Sequence, residues 1–371
     1  MRIMITGGGT GGHTSPAVAI IEELRARDPR LMAQWVGRRG GIEERVSRAC
    51  GVPFRAVRVS GWPRRRSLRQ AWVAAKLAWA VARCMLLIRR FRPQAVLGVG
   101  GYVSLPLMLA AQRLGVPTVL HEQNKRLGMA NRLAAARAAR LFLAYEDTLG
   151  DYPRERARVV GNPVRRGFLT PPERDGAREA LGLRTDVPVA LVCGGSQGAR
   201  TLNAAVTGLL PALPPDAAQL VWMTGAADAA GARDAAAEAP ATTLVFPFID
   251  DMAQACAAAD LVVTRAGAST TAELAVLGKP AILVPYPHAT DNHQEQNARA
   301  FESAGAAVLL DDDACTPERL AAELRRLLDD PAHLEAMGAA AKTMGHPLAA
   351  ETVAEAVMEL VFSAGPARED A

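Results

Sequence analysis

Two periodicities alternate along this chain. Short apolar runs at residues 3–6, 31–37, 54–59, 118–121 and 141–144, with another opening at Ala95, read as buried strands. Between them apolar residues recur at helical spacing, as at Val18, Ile20, Ile21 and Leu24, and over 42–50, 67–92 and 129–139. The alternation restarts at 187–192 and continues with strands at 220–224, 243–245 and 260–264 and closing helices at 317–328, 334–344 and 349–361. Strands alternating with helices predict an α/β fold with parallel sheets. The restart follows the turn-forming Gly161-Asn-Pro-Val-Arg165. It predicts two doubly wound, Rossmann-like domains, 1–162 and 163–345, facing one another across a cleft lined by the carboxyl ends of the strands. Residues 365–371 read as a frayed end.

Each half opens on glycines. In the first, Gly7-Gly-Gly-Thr-Gly-Gly-His13 follows a strand and precedes a helix opened by Thr14, Ser15 and Pro16. Glycine lets backbone N–H groups approach a ligand, and a helix start carries partial positive charge, so the arrangement makes a seat for an anion. Gly7-x-Gly9-x-x-Gly12 fits a dinucleotide fingerprint, but an acidic ribose ligand should follow the second strand, where Arg38 and Arg39 stand instead. An NADP site stays open as an alternative. A Walker loop would need lysine where His13 stands and is excluded. A tight turn without any ligand is the third reading; His13, an imidazole at its mouth, makes a functional turn more interesting. Gly98-Val-Gly-Gly-Tyr-Val-Ser104 and Gly194-Gly-Ser-Gln-Gly-Ala199 repeat the plan. His121 and Glu122 read either as an acid/base pair or as a hydrogen-bonded strand end.

Composition and charge narrow the class. With 371 residues, half of them hydrophobic, the chain can fill two cores. Five scattered cysteines without Cys-x-x-Cys spacing argue against disulfides or zinc and for a reducing cytoplasm. A strand starting almost at Met1 leaves no room for a signal segment, and no apolar run reaches the roughly 18–20 residues that span a bilayer. The net charge of +5 conceals an asymmetry, because residues 1–163 hold 28 Lys+Arg against 10 Asp+Glu. The helix at 67–92 lies in a carboxylate-free stretch and sets Trp72, Leu77, Trp79, Leu86, Leu87, Ile88 and Phe91 among Lys76, Arg83, Arg89, Arg90 and Arg92. One face must be core. Two tryptophans with a basic flank further suggest an anionic membrane surface as partner. Nucleic acid is the weaker rival, since apolar residues outnumber the side chains that read bases.

The most specific stretch is Thr264-Arg-Ala-Gly-Ala-Ser-Thr-Thr-Ala-Glu273, followed by Gly278-Lys-Pro-Ala-Ile-Leu-Val-Pro-Tyr-Pro287 and the segment containing Gln294 and Asn297. Gly267 to Thr271 offer amides and hydroxyls to a diphosphate at a helix start. Glu273, one turn in, suits the two adjacent hydroxyls of a ribose; its plainer role is that of a helix-dipole partner. Gln294 and Asn297 add neutral groups for sugar hydroxyls. Asp311-Asp-Asp313, followed by Thr316-Pro-Glu318, reads as a solvated turn before a capped helix rather than as a metal site.

Together these motifs resemble the GT-B glycosyltransferases, and more narrowly glycosyltransferase family 28. Within that family the resemblance narrows to the bacterial enzyme that makes lipid II by moving N-acetylglucosamine (GlcNAc) from UDP-GlcNAc to undecaprenyl-pyrophosphoryl-N-acetylmuramoyl-pentapeptide (lipid I). The resemblance spans nearly the whole chain. It rests on Gly8-Gly-Thr-Gly-Gly-His13, Gly98-Val-Gly-Gly-Tyr-Val-Ser104, His121-Glu-Gln-Asn124, Gly161-Asn-Pro-Val-Arg165, Gly194-Gly-Ser-Gln-Gly-Ala199, Arg265 to Glu273, and His293-Gln294. Thr14-Ser15 departs modestly from the bulky residue the family sets before its proline.

The resemblance implies roles for single positions. Thr10, Gly11, Gly12 and Asn124 would contact the transferred sugar, as would Gln294, and Arg165 and Ser196 would lie near the diphosphate. Ile249 would hold the uracil edge through its backbone, and Ala268, Ser269, Thr270, Thr271, Ala272 and Glu273 would bind diphosphate and ribose. The last helix, about 346–364, would pack back on the first domain. The substrates would be UDP-GlcNAc and lipid I, with no cofactor and no metal. The enzyme would be peripheral on the cytoplasmic face of the inner membrane, with partners in cell-wall or division machinery. In the implied inverting reaction the C4 hydroxyl of the muramoyl sugar attacks the anomeric carbon. His13 is the candidate base, near its ordinary pKa of about 6.5, with Glu122, aided by Tyr102, as the alternative. Two other classes stay in view: an NADP oxidoreductase and a non-catalytic sugar-nucleotide binder at the membrane.

Overall fold

The computed structural model describes residues 1–9, 11–60, 69–289 and 292–363. Thr10, the expected break at residues 61–66 and the expected frayed end at 365–371 therefore lie outside the described residues. The chain divides into two units, one of Met1–Arg166 with the segment from His346 onward, the other of Gly167–Gly345.

In chain order the first unit runs β1 (Arg2–Thr6), α1 (Gly11–Arg27), β2 (Met32–Gly37), α2 (Ile42–Ala49), β3 (Phe54–Ala56), α3 (Arg69–Phe91), β4 (Ala95–Gly98), α4 (Leu105–Arg113), β5 (Thr118–Glu122), α5 (Met129–Ala135), β6 (Arg140–Leu143) and β7 (Ala157–Val159). After α6 (Arg166–Leu169) come α7 (Arg174–Leu181), β8 (Val189–Cys193), α8 (Arg200–Leu209), β9 (Gln219–Met223), α9 (Ala229–Ala237), β10 (Thr243–Phe246), α10 (Met252–Ala258) and β11 (Leu261–Thr264). The rest is α11 (Ala268–Leu277), β12 (Ala281–Leu283), α12 (His293–Ser303), β13 (Ala307–Leu309), α13 (Pro317–Leu328), α14 (Pro331–Thr343) and α15 (Ala349–Ser363).

The first sheet has the order β3-β2-β1-β4-β5-β6-β7 and the second β10-β9-β8-β11-β12-β13. Each neighbouring pair within them is parallel. Side chains of a strand alternate between faces, and a parallel sheet is covered on both, so its strands read as continuous apolar runs. Along β1, Ile3 and Ile5 join Ile20, Ile21 and Leu24 of α1 and Val353, Val357 and Val361 of α15. Met4 faces the other layer, with Cys84, Ile88, Leu107 and Met108. The second unit packs Val192, Leu202, Val206, Trp222, Val263, Leu320 and Leu324 into its main core. Arg27 pairs with Glu351 at 2.6 Å and Glu355 at 3.0 Å. These partly exposed pairs contribute little, whereas each buried valine of α15 is worth about 1.5–3 kcal/mol, so the apolar face holds the last helix to α1.

Among the boundaries that differ from the sequence pattern, three bear on the site or have a visible cause. The first helix begins at Gly11, which puts His13 in its first turn rather than in a loop before it. The third strand stops at Ala56 instead of residue 59: Val57 N–H still reaches Gly37 O at 2.8 Å, but β2 ends there and offers no further partner. The helix expected over 129–139 ends at Ala135, because the amide of Ala139 is taken by Thr118 O at 2.8 Å on the way into β6.

Candidate active site

In each sheet the order reverses between two adjacent strands, β1 and β4 in the first and β8 and β11 in the second. The turns that leave those strands open a crevice at their carboxyl ends. All the glycine motifs lie there.

In the first unit, the turns after β1 and β4 meet backbone to backbone. A Cβ on Gly101 would lie 2.1 Å from the carbonyl oxygen of Gly8, and Gly101 has φ +78, so glycine is required twice over. Beneath the first turn lies Glu43 of α2, fully buried. Its Oε1 accepts the N–H of Arg38 at 2.8 Å and its Oε2 that of Gly9 at 3.3 Å. Sequence reasoning missed this residue, although a glutamate just after Gly40-Gly41 is the available signal. The Gly9 amide is therefore engaged by an internal carboxyl side chain and is not free for a pyrophosphate.

His13 is half-buried in the first turn of α1. A Cβ on Gly100 would lie 2.9 Å from Cδ2 of His13 and 3.4 Å from the side-chain nitrogen of Asn131, so imidazole and amide converge on one point. Asn131 Nδ2 in turn donates to Glu122 Oε2 at 2.9 Å. The structure thus brings both base candidates into one cluster. Glu122 is buried and accepts three further hydrogen bonds: from the backbone and side-chain nitrogens of Asn124, both at 3.1 Å, and from the N–H of Gly128 at 2.9 Å. Burial raises its pKa, and these donors pull the other way. Its carboxylate therefore fastens the segment that carries Asn124, whose Oδ1 has no partner among the described residues. Asn131 is a second member that sequence reasoning passed over.

His121 resolves toward the strand-end reading. It is fully buried, with Nε2 2.9 Å from Gly161 O and Nδ1 3.1 Å from Nε2 of Gln123, which also donates to Val99 O at 2.9 Å. With Gln123 as donor, the ring carries its proton on Nε2. Burial drives its pKa down to about 4, so it is a neutral brace between three loops. Gly12 is half-buried beside His13, Tyr102 approaches Gly9, and Arg165 follows the Gly161 turn.

In the second unit the glycine turn after β8 packs against the turn after β9. A Cβ on Gly198 would lie 2.0 Å from Thr224 O. Ser196 is half-buried on this turn, and the Ile249 N–H, after β10, points at the sulfur of Met223 at 3.4 Å. Helix α11 starts at Ala268, directly after the switch strand β11, with Ala268, Ser269, Thr271 and Glu273 buried and Thr270 and Ala272 half-buried. The Thr271 hydroxyl donates to Gly267 O and Ala268 O, both at 3.2 Å, so its side chain is spent on the helix itself. Glu273 lies close enough to β8 for its charge to help burial push the Cys193 thiol up to about 11. Gln294 Oε1 accepts the Tyr286 N–H at 3.0 Å, and its Nε2 has no partner among the described residues. Asn297, expected to hold sugar hydroxyls, is buried and donates to Ala266 O at 3.0 Å, so it braces the start of α11 instead.

The aspartate triplet also needs correction. Asp312 is not simply solvated: it pairs with Arg265 and accepts the Thr201 hydroxyl at 3.0 Å. Among the described residues no group of three or more His, Cys, Asp or Glu side chains could hold a metal ion. On α3 the buried face is Val73, Ala80, Cys84, Leu87 and Ile88, while Trp72, Trp79 and Leu86, seven residues apart, are each more than half exposed. Lys76 Nζ sits 3.3 Å over the Trp72 ring. No helix of the described residues is long and apolar enough to cross a membrane.

Comparison with known proteins now bears on this geometry. The N-terminal domain of glycosyltransferase family 28 matches residues 3–143 and its C-terminal domain residues 189–353. A protein of Syntrophotalea carbinolica called UDP-N-acetylglucosamine–N-acetylmuramyl-(pentapeptide) pyrophosphoryl-undecaprenol N-acetylglucosamine transferase is 41% identical, covering 95% of this chain and 97% of its own. The chain belongs to glycosyltransferase family 28. A relative of the same name from Nitratidesulfovibrio vulgaris is 42% identical over 99% of this chain and 100% of its own. The crystal structure of Acinetobacter baumannii MurG matches with a TM-score of 0.73 at 29% identity, over 96% of this chain and 99% of that one. As a family 28 member the chain is a glycosyltransferase whose two units are the Rossmann-like domains of a GT-B fold.

Proposed function

We propose that this chain is an inverting transferase that moves GlcNAc from UDP-GlcNAc to the C4 hydroxyl of the muramoyl sugar of lipid I, making lipid II for peptidoglycan. The observation that carries this reading is the set of groups around α11. A helix start for a diphosphate, a buried Glu273 one turn in for the ribose diol, and the open Nε2 of Gln294 for the sugar lie on the neighbouring helices α11 and α12. Ile249 holds the uracil edge through its backbone. Ser196, Arg165 and residues Ala268 to Ala272 hold the diphosphate and stabilise the charge that grows on UDP as it leaves.

The first unit supplies the groups at the reacting sugar. Thr10, Gly11, Gly12 and Asn124 contact it, Asn124 through its open Oδ1. As the C4 oxygen attacks the anomeric carbon, the bond to UDP breaks and the hydroxyl proton passes to a base. His13 is that base, being half-buried where Glu122 is buried and committed to four donors. Glu122 orders Asn124 and Asn131. The exposed tryptophans of α3 and the cation over Trp72 support a peripheral seat on an anionic membrane surface. In this reading that surface is the cytoplasmic face of the inner membrane, in reach of cell-wall and division machinery.

The test is product analysis. Enzyme, UDP-GlcNAc and a soluble lipid I analogue should give the analogue carrying one added β-linked N-acetylhexosamine by mass spectrometry and NMR. Tight nucleotide binding with no modified acceptor would leave only a sugar-nucleotide binding protein.

A further inference from the structure

Asp312 lies in the loop after β13, in a part of the sequence that looks solvated, and makes contacts a surface carboxylate does not need. Its Oδ1 takes Nη1 of Arg265 at 2.5 Å, and its Oδ2 takes the Thr201 hydroxyl at 3.0 Å. The pair is largely withdrawn from water, Arg265 being 12% and Asp312 21% exposed. The same Nη1 reaches the carbonyl oxygens of Val284 at 3.1 Å and Pro285 at 3.2 Å, directly after β12. One guanidinium thus ties together the exits of β11, β12 and β13, and the carboxylate joins them to α8.

The next residue along, Tyr286, transmits this tie. Its ring lies 5.7 Å from the Arg265 guanidinium carbon, and its N–H binds Gln294 Oε1 at 3.0 Å. That bond decides which end of the Gln294 amide faces outward: oxygen toward Tyr286, nitrogen toward a ligand. We propose that Asp312 is a positioning residue for the donor-sugar end of the nucleotide site, acting through Arg265 and the 284–286 segment on Gln294. The inference rests on the reading that Gln294 holds the donor sugar. It predicts selectivity between the two ends of the ligand, because the start of α11 is held separately, by Asn297 on Ala266 O at 3.0 Å and by the Thr271 hydroxyl. Loss of the carboxylate frees the guanidinium and the carbonyls it gathers, not the diphosphate seat.

The experiment is calorimetric binding of UDP and of UDP-GlcNAc to wild type, Asp312→Ala, Asp312→Asn and Gln294→Ala, with thermal melts to confirm folding. Asp312→Ala should weaken UDP-GlcNAc about tenfold while UDP changes less than about threefold, with Asp312→Asn in between. Equal weakening of both ligands, or of neither, overturns the proposal, and Asp312→Asn decides it should the alanine variant not fold. Gln294→Ala separates the two layers. If it leaves the preference for the sugar nucleotide intact, the assignment of Gln294 to the donor sugar fails, and the route from Asp312 through it fails too. If Gln294→Ala abolishes that preference and the Asp312 variants do not, only the Asp312 inference falls.

Discussion

Oε2 of Glu43 accepts the N–H of Gly9 at 3.3 Å from a position with no solvent exposure. A Cβ on Gly8 or Gly37 would lie 2.5 Å from this side chain, and one on Gly41 2.6 Å, so three glycines make room for one carboxylate. The first glycine motif is in this sense built around an internal carboxyl side chain. Glu43→Ala takes the acceptor from the part-buried amides of Gly9 and Arg38 and leaves a cavity where the buried side chain was, and should lower the unfolding free energy by about 2–4 kcal/mol in urea titrations. Glu43→Gln, which keeps an acceptor and the volume, should lose clearly less.

Two glycines of one turn should respond differently to alanine. Gly195 has φ +86 but open space around its Cβ position, whereas Gly198 has φ +78 and Thr224 O at 2.0 Å. Gly195→Ala should cost about 1–2 kcal/mol of backbone strain. Gly198→Ala adds a backbone collision, so it should cost more in stability and weaken UDP binding in the same calorimetric assay, while Gly195→Ala largely keeps it.

His121 makes a pH prediction. Burial holds its imidazole near 4 in the folded state against an ordinary 6.5, so between those values the unfolded chain takes up a proton that the native one refuses. This contribution is complete above pH 6.5 and is lost as pH falls toward 4, to a total of about 3 kcal/mol. Glu122, raised by burial from 4.5, works in the opposite direction, costing stability as pH rises through the interval between that value and its folded one. The comparison with His121→Gln therefore isolates the histidine. Urea unfolding at pH 7 and pH 4.5 should show a smaller loss in the variant than in wild type.

The exposed line on α3 is tested by vesicle sedimentation. Replacing Trp72 and Trp79 together by serine should reduce binding to anionic vesicles by about tenfold or more. Turnover of a water-soluble acceptor should be unchanged, and raised salt should weaken the wild type, as expected for the basic flank.

Much of this architecture is legible in the chain because parallel strands buried on both faces announce themselves as apolar runs, and glycine turns mark where they end. Glu273 and Gln294, the groups proposed to meet the ribose and the donor sugar, stand out for a similar reason, as polar residues in an otherwise apolar or helix-starting context. What escaped was long-range pairing. Glu43 finds Gly9 across 34 residues, and Asp312 finds Arg265 across 47, through folding alone. Asn297 looked like a ligand because spacing shows that two amides share a helix but not which one turns inward. The tryptophans of α3 were ambiguous for the same reason, until the buried face proved to be Val73, Ala80, Cys84, Leu87 and Ile88.

The most direct measurement is UDP release from UDP-GlcNAc, with and without a lipid I analogue, on wild type and His13→Ala. The account predicts acceptor-dependent release, reduced about 10²–10⁴-fold in the variant while nucleotide binding persists. Release unaffected by the substitution would take the base away from His13. No acceptor-dependent release by folded, nucleotide-binding wild type would contradict the transferase itself.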